Sequence, residues 1–419
     1  MAGSIKEAFK NVGIETEQTC SPNDTLPENP FKVIFKLKQH TPMIHFQGDQ
    51  LGATLRATEL KPKLDRFLLK QGSVSESDKY YKNYKVKISC NKAPKVEPAG
   101  KNGKSRKNYP LYFGNMGDGS SDKIKFVYYE EPISIEIFSK SQELLKIIGE
   151  NICDFLSQTN FGTRQSKGFG SFYLDKSDKR YKEPKADFSF KLENINIKNK
   201  FFEDLFKKIE LFYKTLRSGI NTPSFYFKSF LFLYAKEKNI QWDKKTIKEQ
   251  FFNRRLPEQI NKHPQNNEIL TYSSEKKYLM RDLLGLSSSQ EWLYYGCTIE
   301  KNDPEVDGKV ERFASPLLFK PILEEGCYKG SYNAKIYITI KSIDKKMLDR
   351  KFEIECSKTD KKLPLYLSTP KSFDLKEYIK FCMEKGKVLY KHVEPKFQEI
   401  KEYRQLENIY NSLKEISNA

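Results

Sequence analysis

The chain has 419 residues, 38% hydrophobic and 13% aromatic, which excludes a disordered polyelectrolyte and leaves room for two or three separate cores. Lys and Arg total 74 against 55 Asp and Glu, and the resulting net charge of +19 suits a polyanionic partner, either nucleic acid or an anionic membrane. Membrane is disfavoured, because no apolar run approaches the ~20 residues of a spanning helix and Met1 to Glu17 has no signal-peptide core. The seven cysteines (Cys20, Cys90, Cys153, Cys297, Cys327, Cys356 and Cys382) contain no CxxC pair. That argues against a structural zinc site and a disulfide scaffold, and a reducing cytoplasm is the expected compartment.

Residues 1–30 read as an N-terminal arm, ending in the proline-bearing stretch that includes Pro22, Pro27 and Pro30. Phe31, Val33, Phe35 and Leu37 then alternate with Lys32, Lys36 and Lys38, the period of a half-buried strand, with Ile34 an apolar exception on the outer face. A loop through Gly52 leads to a helix with Leu60, Leu64, Phe67 and Leu68 on one face, Thr58 as its cap and Pro62 in its first turn. Tyr84, Val86, Ile88 and Cys90 form a second strand, and the polar residues 91–123 read as a mobile basic insertion. Ile124, Phe126 and Tyr128, continuing past Pro132 with Ile133, Ile135 and Ile137, read as strand. Leu144, Leu145, Ile148, Ile152, Phe155 and Leu156 follow at helical spacing, and Phe161 to Tyr173 is a glycine loop running into a strand.

The order strand, helix, strand, strand, helix, strand predicts an α+β fold whose first domain, 31–190, is a ferredoxin-like βαββαβ unit. Residues 191–290 read as a helical region, from Phe201–Leu216, Ser224–Lys238, Lys244–Phe252 and a short helix at Tyr278–Leu284. Residues 291–419 are expected to form a diverged second α+β unit, with Ile336, Ile338 and Ile340 alternating and a charged helix over Glu394–Ile416. No exact internal repeat is visible.

Three glycines, Gly162, Gly168 and Gly170, let the loop backbone take positive φ and turn its amides outward, a concave site for phosphate. Arg164 and Lys167 supply charge within it. It is not a Walker loop; Gly103-Lys104-Ser105 supplies that triplet, but Pro98 stands where the first Walker glycine belongs. The alternative is a tight helix-to-strand turn with incidental charge. A second cluster, Arg56, Lys61, Lys63 and Arg66, surrounds a helix start, where unpaired amides and the helix dipole already favour an anion. Local pairing with Glu59 and Asp65 is the competing account. Phe169 is placed to stack on a base, worth ~1–3 kcal/mol by typical substitution data. His45 is a candidate general base, although a lone loop histidine is more often structural. No HxxxH or HD pair exists, so neither a metal nor a cofactor is expected.

Together these pieces resemble the RAMP superfamily of CRISPR-associated RNA-binding proteins. The resemblance rests on the ferredoxin-like (RAMP/RRM-like) order, on the loop Gly162-Thr163-Arg164-Gln165-Ser166-Lys167-Gly168-Phe169-Gly170 before the final strand, and on Leu55-Arg56-Ala57-Thr58-Glu59-Leu60-Lys61. Thr41-Pro42 followed by that Leu-Arg element looks most like Cmr subunits of type III-B effector complexes, and closest to the large RAMP subunit at the head of the complex. Arg312-Phe313-Ala314-Ser315-Pro316-Leu317 is similar to the segment opening that subunit's second half. The resemblance implies a non-catalytic subunit that holds guide CRISPR RNA and target RNA near the guide 3′ end in antiviral defence, beside other RAMP subunits. Its expected RNA contacts are Arg56, Lys61, Lys63, Arg164, Lys167, Gly168, Phe169, Gly170 and Arg312. Two other readings stand beside it, a metal-independent endoribonuclease using His45 and a protein–protein adaptor.

Overall fold

A computed structural model of the chain describes residues 29–44, 55–78, 81–98, 125–197, 202–252, 272–292, 295–304, 313–326, 331–357 and 363–416. Most of the N-terminal arm, the bulk of the basic insertion, His45 and Arg312 lie outside the described residues.

The first half contains β1 (Lys32–Gln39), β2 (Met43–Ile44), α1 (Ala57–Lys70), β3 (Tyr84–Ser89), β4 (Lys95–Pro98), β5 (Lys125–Tyr128), β6 (Ile133–Ser139), α2 (Gln142–Ser157) and β7 (Phe172–Leu174). Four of these strands form an antiparallel sheet in the order β3-β6-β1-β7. Phe35, Leu37, Ile133, Ile135 and Ile137 point to one face and are covered by Leu60, Leu64 and Leu68 of α1 with Ile148, Ile152 and Phe155 of α2. The alternation read from β1 and β6 is therefore what seats both helices on one side.

Local details differ from the sequence reading. Arg56, not Thr58, is the N-cap of α1, so Thr58 lies within the first turn and Pro62 within the second. Phe31 precedes the strand and is 49% exposed. The run expected to be one strand around Pro132 is two, in different sheets. Strand β5 joins β2 and β4 in a three-stranded sheet, and β6 joins the main one. Proline has no amide for a ladder, and the chain changes sheets there.

The second half contains β8 (Phe188–Asn196), α3 (Glu203–Arg217), β9 (Ile220–Asn221), β10 (Tyr226–Phe227), α4 (Phe230–Glu237), α5 (Asp243–Phe252), β11 (Ser289–Trp292) and β12 (Cys297–Asn302). It continues with β13 (Leu317–Glu325), β14 (Ser331–Ile340), β15 (Lys351–Cys356), β16 (Leu365–Ser368), α6 (Leu375–Lys387), α7 (Pro395–Gln398), α8 (Lys401–Ser412) and β17 (Lys414–Glu415). Its main sheet is antiparallel in the order β13-β14-β8-β17. Numbered along the chain, both main sheets follow the same order: second, third, first, fourth strand. Phe190 of β8 packs on Phe212 of α3, which also meets Tyr410 of α8, so two helices again lie on the sheet.

Here too some expected elements change. Ser229 Oγ accepts from Phe232 N at 3.3 Å and starts α4 there, while Tyr226 and Phe227 pair with Asn221 and Ile220 in a short hairpin. The expected helix over 278–284 is a single tight turn, Arg281–Leu284. The long C-terminal helix is divided into α7 and α8, and its last residues become β17. A third four-stranded sheet, β11-β12-β15-β16, has no counterpart among the expected elements.

Candidate nucleic-acid interface

The glycine loop joins α2 to β7 and is held from several sides. Gly162 (φ +77°) and Gly170 (φ +65°) take left-handed backbone; a Cβ at Gly170 would stand 1.9 Å from Phe161 O, and one at Gly162 2.6 Å from Ile44 O. Its amides are largely spent inside the protein. Phe161 N donates to Gly170 O, Thr163 N to Ile44 O, Gly168 N to Gln165 O and Gly170 N to Pro42 O, at 2.9 to 3.2 Å. Gly162 N donates to Glu59 Oε1 at 2.8 Å, and Ser171 N to Thr41 Oγ1 at 2.9 Å. The expected cradle of outward amides is thus corrected at Gly168 and Gly170, whose N–H groups close the loop upon itself and on the Thr41-Pro42 corner.

Phe169 requires a second correction. It is 1% exposed, and its ring stacks on Phe206 at 3.7 Å, so it belongs to the core of the second half and has no face for a base. Asn160 fixes the loop to the same half, its Nδ2 donating to Gln165 O and to Phe319 O of β13, both at 2.8 Å.

The helix start meets this loop directly. Glu59, in the first turn of α1, carries Gly162 N on the same Oε1 that receives Lys63 Nζ at 2.6 Å, and Lys63 also donates to Asn160 O at 3.0 Å. Lys61 donates to Lys82 O at 2.7 Å, lies 3.8 Å from Asp65 Oδ2 and sits over the Tyr84 ring. Both lysines serve the domain's own packing, which is the local-pairing account. Arg56, Arg164 and Lys167, all half-buried, are the other basic residues at the helix start and in the loop. Lys167 Nζ lies 3.9 Å over the Tyr213 ring, and burial pushes its pKa down to about 8. Arg164 also takes left-handed φ, 56°, at the entry to the tight turn Gln165–Lys167.

Lys320 was not anticipated. It is fully buried between the halves, and its Nζ donates to Thr159 O at 2.8 Å and to Phe172 O at 2.7 Å. A lysine inside the apolar run Leu317-Leu318-Phe319-Lys320-Pro321-Ile322 was the available signal. His40 is likewise buried, and its Nδ1 accepts from Leu323 N at 2.9 Å; burial holds its pKa well below the usual range, so it is neutral. Among the described residues, no cluster of three His, Cys, Asp or Glu side chains is placed to hold a metal ion, and no helix is long and apolar enough to cross a membrane.

The arrangement is a clamped junction of helix start and glycine loop, ringed by cations and backed by a second sheet of the same strand order. Two family descriptions cover most of the chain: the Cmr1 N-terminal domain matches residues 30–220 and the Cmr1 C-terminal domain matches residues 226–408. The chain belongs to the Cmr1 family, the RAMP subunits of the type III-B CRISPR Cmr complex. Among solved structures it is similar to Cmr1 from Pyrococcus furiosus (apo form) at 12% identity and a TM-score of 0.34, covering 81% of this chain and 99% of that one. No curated protein sequence matches it.

Proposed function

We propose that this chain is the non-catalytic RNA-binding subunit of its type III-B effector complex, holding guide RNA, target RNA or both near the guide 3′ end in antiviral defence. Arg56, Arg164 and Lys167 are the proposed phosphate contacts. The observation that carries this reading is the Glu59 bridge, which joins the α1 start to the glycine loop and gathers cations from two separate stretches of chain at one place. We read both main sheets, with their paired helices, as ferredoxin-like RAMP units, and other RAMP subunits as the neighbours. Arg312 is retained as a candidate contact outside the described residues.

Single-stranded RNA binding, followed by anisotropy over a range of salt, tests this reading. If Arg164 and Lys167 each neutralise one phosphate, changing both to Ala lowers the slope of log affinity against log salt by about 1.4. An unchanged slope with intact folding removes the loop from the interface. RNA cut by the purified protein without divalent metal would overturn the non-catalytic reading.

A further inference from the structure

A second group of cations lies beyond the glycine loop, where the end of α3, the start of α5, the turn Arg281–Leu284 and β12 meet. Arg217 donates from Nε to Arg281 O at 3.0 Å and from Nη2 to Gly285 O at 2.8 Å, and its Nη2 is 3.9 Å from Asp282 Oδ1. Arg281 is 3% exposed and its Nε faces both Asp243 oxygens at 2.9 and 2.8 Å, yet its buried Nη2 has no hydrogen-bond partner. Lys301, 1% exposed, sits 2.5 Å from Asp282 Oδ2. Lys244, half-buried in the first turn of α5, donates its backbone N–H to Asp243 Oδ1 at 2.7 Å, while its side chain makes no hydrogen bond or ion pair with the described residues.

Two carboxylates, Asp243 and Asp282, therefore answer four cations, Arg217, Lys244, Arg281 and Lys301. Lys248, one turn along α5, adds to the positive side. Burial, with Arg281, Lys248 and Arg217 beside it, pushes the Lys244 amine down to about 7 against the opposing pull of Asp243. A buried excess of positive charge is costly unless an anion answers it. The cluster is contiguous with the glycine loop. Arg217 is one helical turn from Tyr213, the residue under Lys167, and it contributes to lowering the Lys167 pKa.

We propose that Lys244, with Arg217 and Arg281 behind it, binds a phosphate group of single-stranded RNA, continuing the track that starts at the glycine loop. This rests on the RNA-binding reading above, and it adds a site in the second half of the chain. A phosphate fits because it is a compact anion that several cations can share, with the planar guanidinium of Arg281 offering an unused donor.

The test uses the full chain and guide-length single-stranded RNA carrying either a 3′-hydroxyl or a 3′-phosphate. Lys244→Ala should lower the salt slope by about 0.7, a change of about fivefold in affinity per decade of salt, while Lys244→Arg keeps it. Inorganic phosphate, compared with chloride at equal ionic strength, should raise the melting temperature of the wild type and leave that of Lys244→Ala unmoved. A 3′-phosphate that strengthens binding only when Lys244 is present assigns the site to an RNA end; equal binding of both RNAs, still dependent on Lys244, assigns it to an internal phosphate. Wild-type slope and affinity in a folded Lys244→Ala protein overturn the proposal and leave the glycine-loop reading standing. Failure of the wild type to bind RNA at all overturns both.

Discussion

At Lys320 a single side chain joins the two halves, and its chemistry differs from that of a surface lysine. A neutral amine has two N–H groups, and the carbonyls of Thr159 and Phe172 take both. Complete burial lowers its pKa far below 10.5, with Lys63 adding to the effect. Between that lowered value and 10.5 the unfolded chain binds a proton that the folded chain does not, so stability rises with pH through this window. The burial cost is fully present below the folded value and gone above the unfolded one. From pH 7 to 9 the urea-unfolding free energy of the wild type should therefore gain on that of Lys320→Met, by at most about 1.4 kcal/mol per pH unit. Parallel pH profiles for the two proteins would show that Lys320 keeps its charge when buried. Phe169 teaches a related lesson, because its place in an RNA-like loop says nothing of its burial against Phe206.

Among the elements, the glycine loop is the most constrained. Its strength lies in backbone closure, and Gly170→Ala forces a Cβ onto Phe161 O while keeping φ at +65°. That substitution should cost more than about 2 kcal/mol in urea unfolding, through combined clash and left-handed strain. A cost under that value would mean that the loop moves aside easily. The loop was legible in the sequence as three spaced glycines, and β1, β6 and both helices of the first sheet were legible from their periods. The destination of the loop amides was not, since their acceptors Pro42, Ile44 and Glu59 lie more than a hundred residues earlier. Strand β8 shows clear alternation at Phe188, Phe190 and Leu192, but alternation does not say which sheet a strand will join. The β11-β12-β15-β16 sheet was hidden for the same reason: its central pair, β12 and β15, brings Ile299 to Cys356 across the whole of β13 and β14.

Across the whole molecule the two halves share their cores. Ile44, Phe126, Tyr128 and Phe169 pack with the second half, while Ile322 and Tyr337 of the second sheet pack with the first. Polar ties run alongside, with Ser171 Oγ donating to Pro321 O at 2.8 Å and the Tyr337 hydroxyl to Glu183 at 2.5 Å. Unfolding should therefore be one transition. Trp242 and Trp292 report on the second half by fluorescence, and hydrogen exchange at β1 and β6 reports on the first. Coincident urea midpoints are expected, and well-separated ones would mean that the halves unfold independently.

The shared strand order has a consequence for how the chain is made. The first main sheet spans Lys32 to Leu174, so every strand of it is synthesised before Phe188 opens the second. The second opens at Phe188 and is closed only by Lys414 and Glu415, more than two hundred residues later. Its central strand β8 must keep one edge bare until β17 emerges. Ribosome-bound chains stalled before that point carry a finished first sheet and an exposed edge on the second, the form on which folding helpers would act.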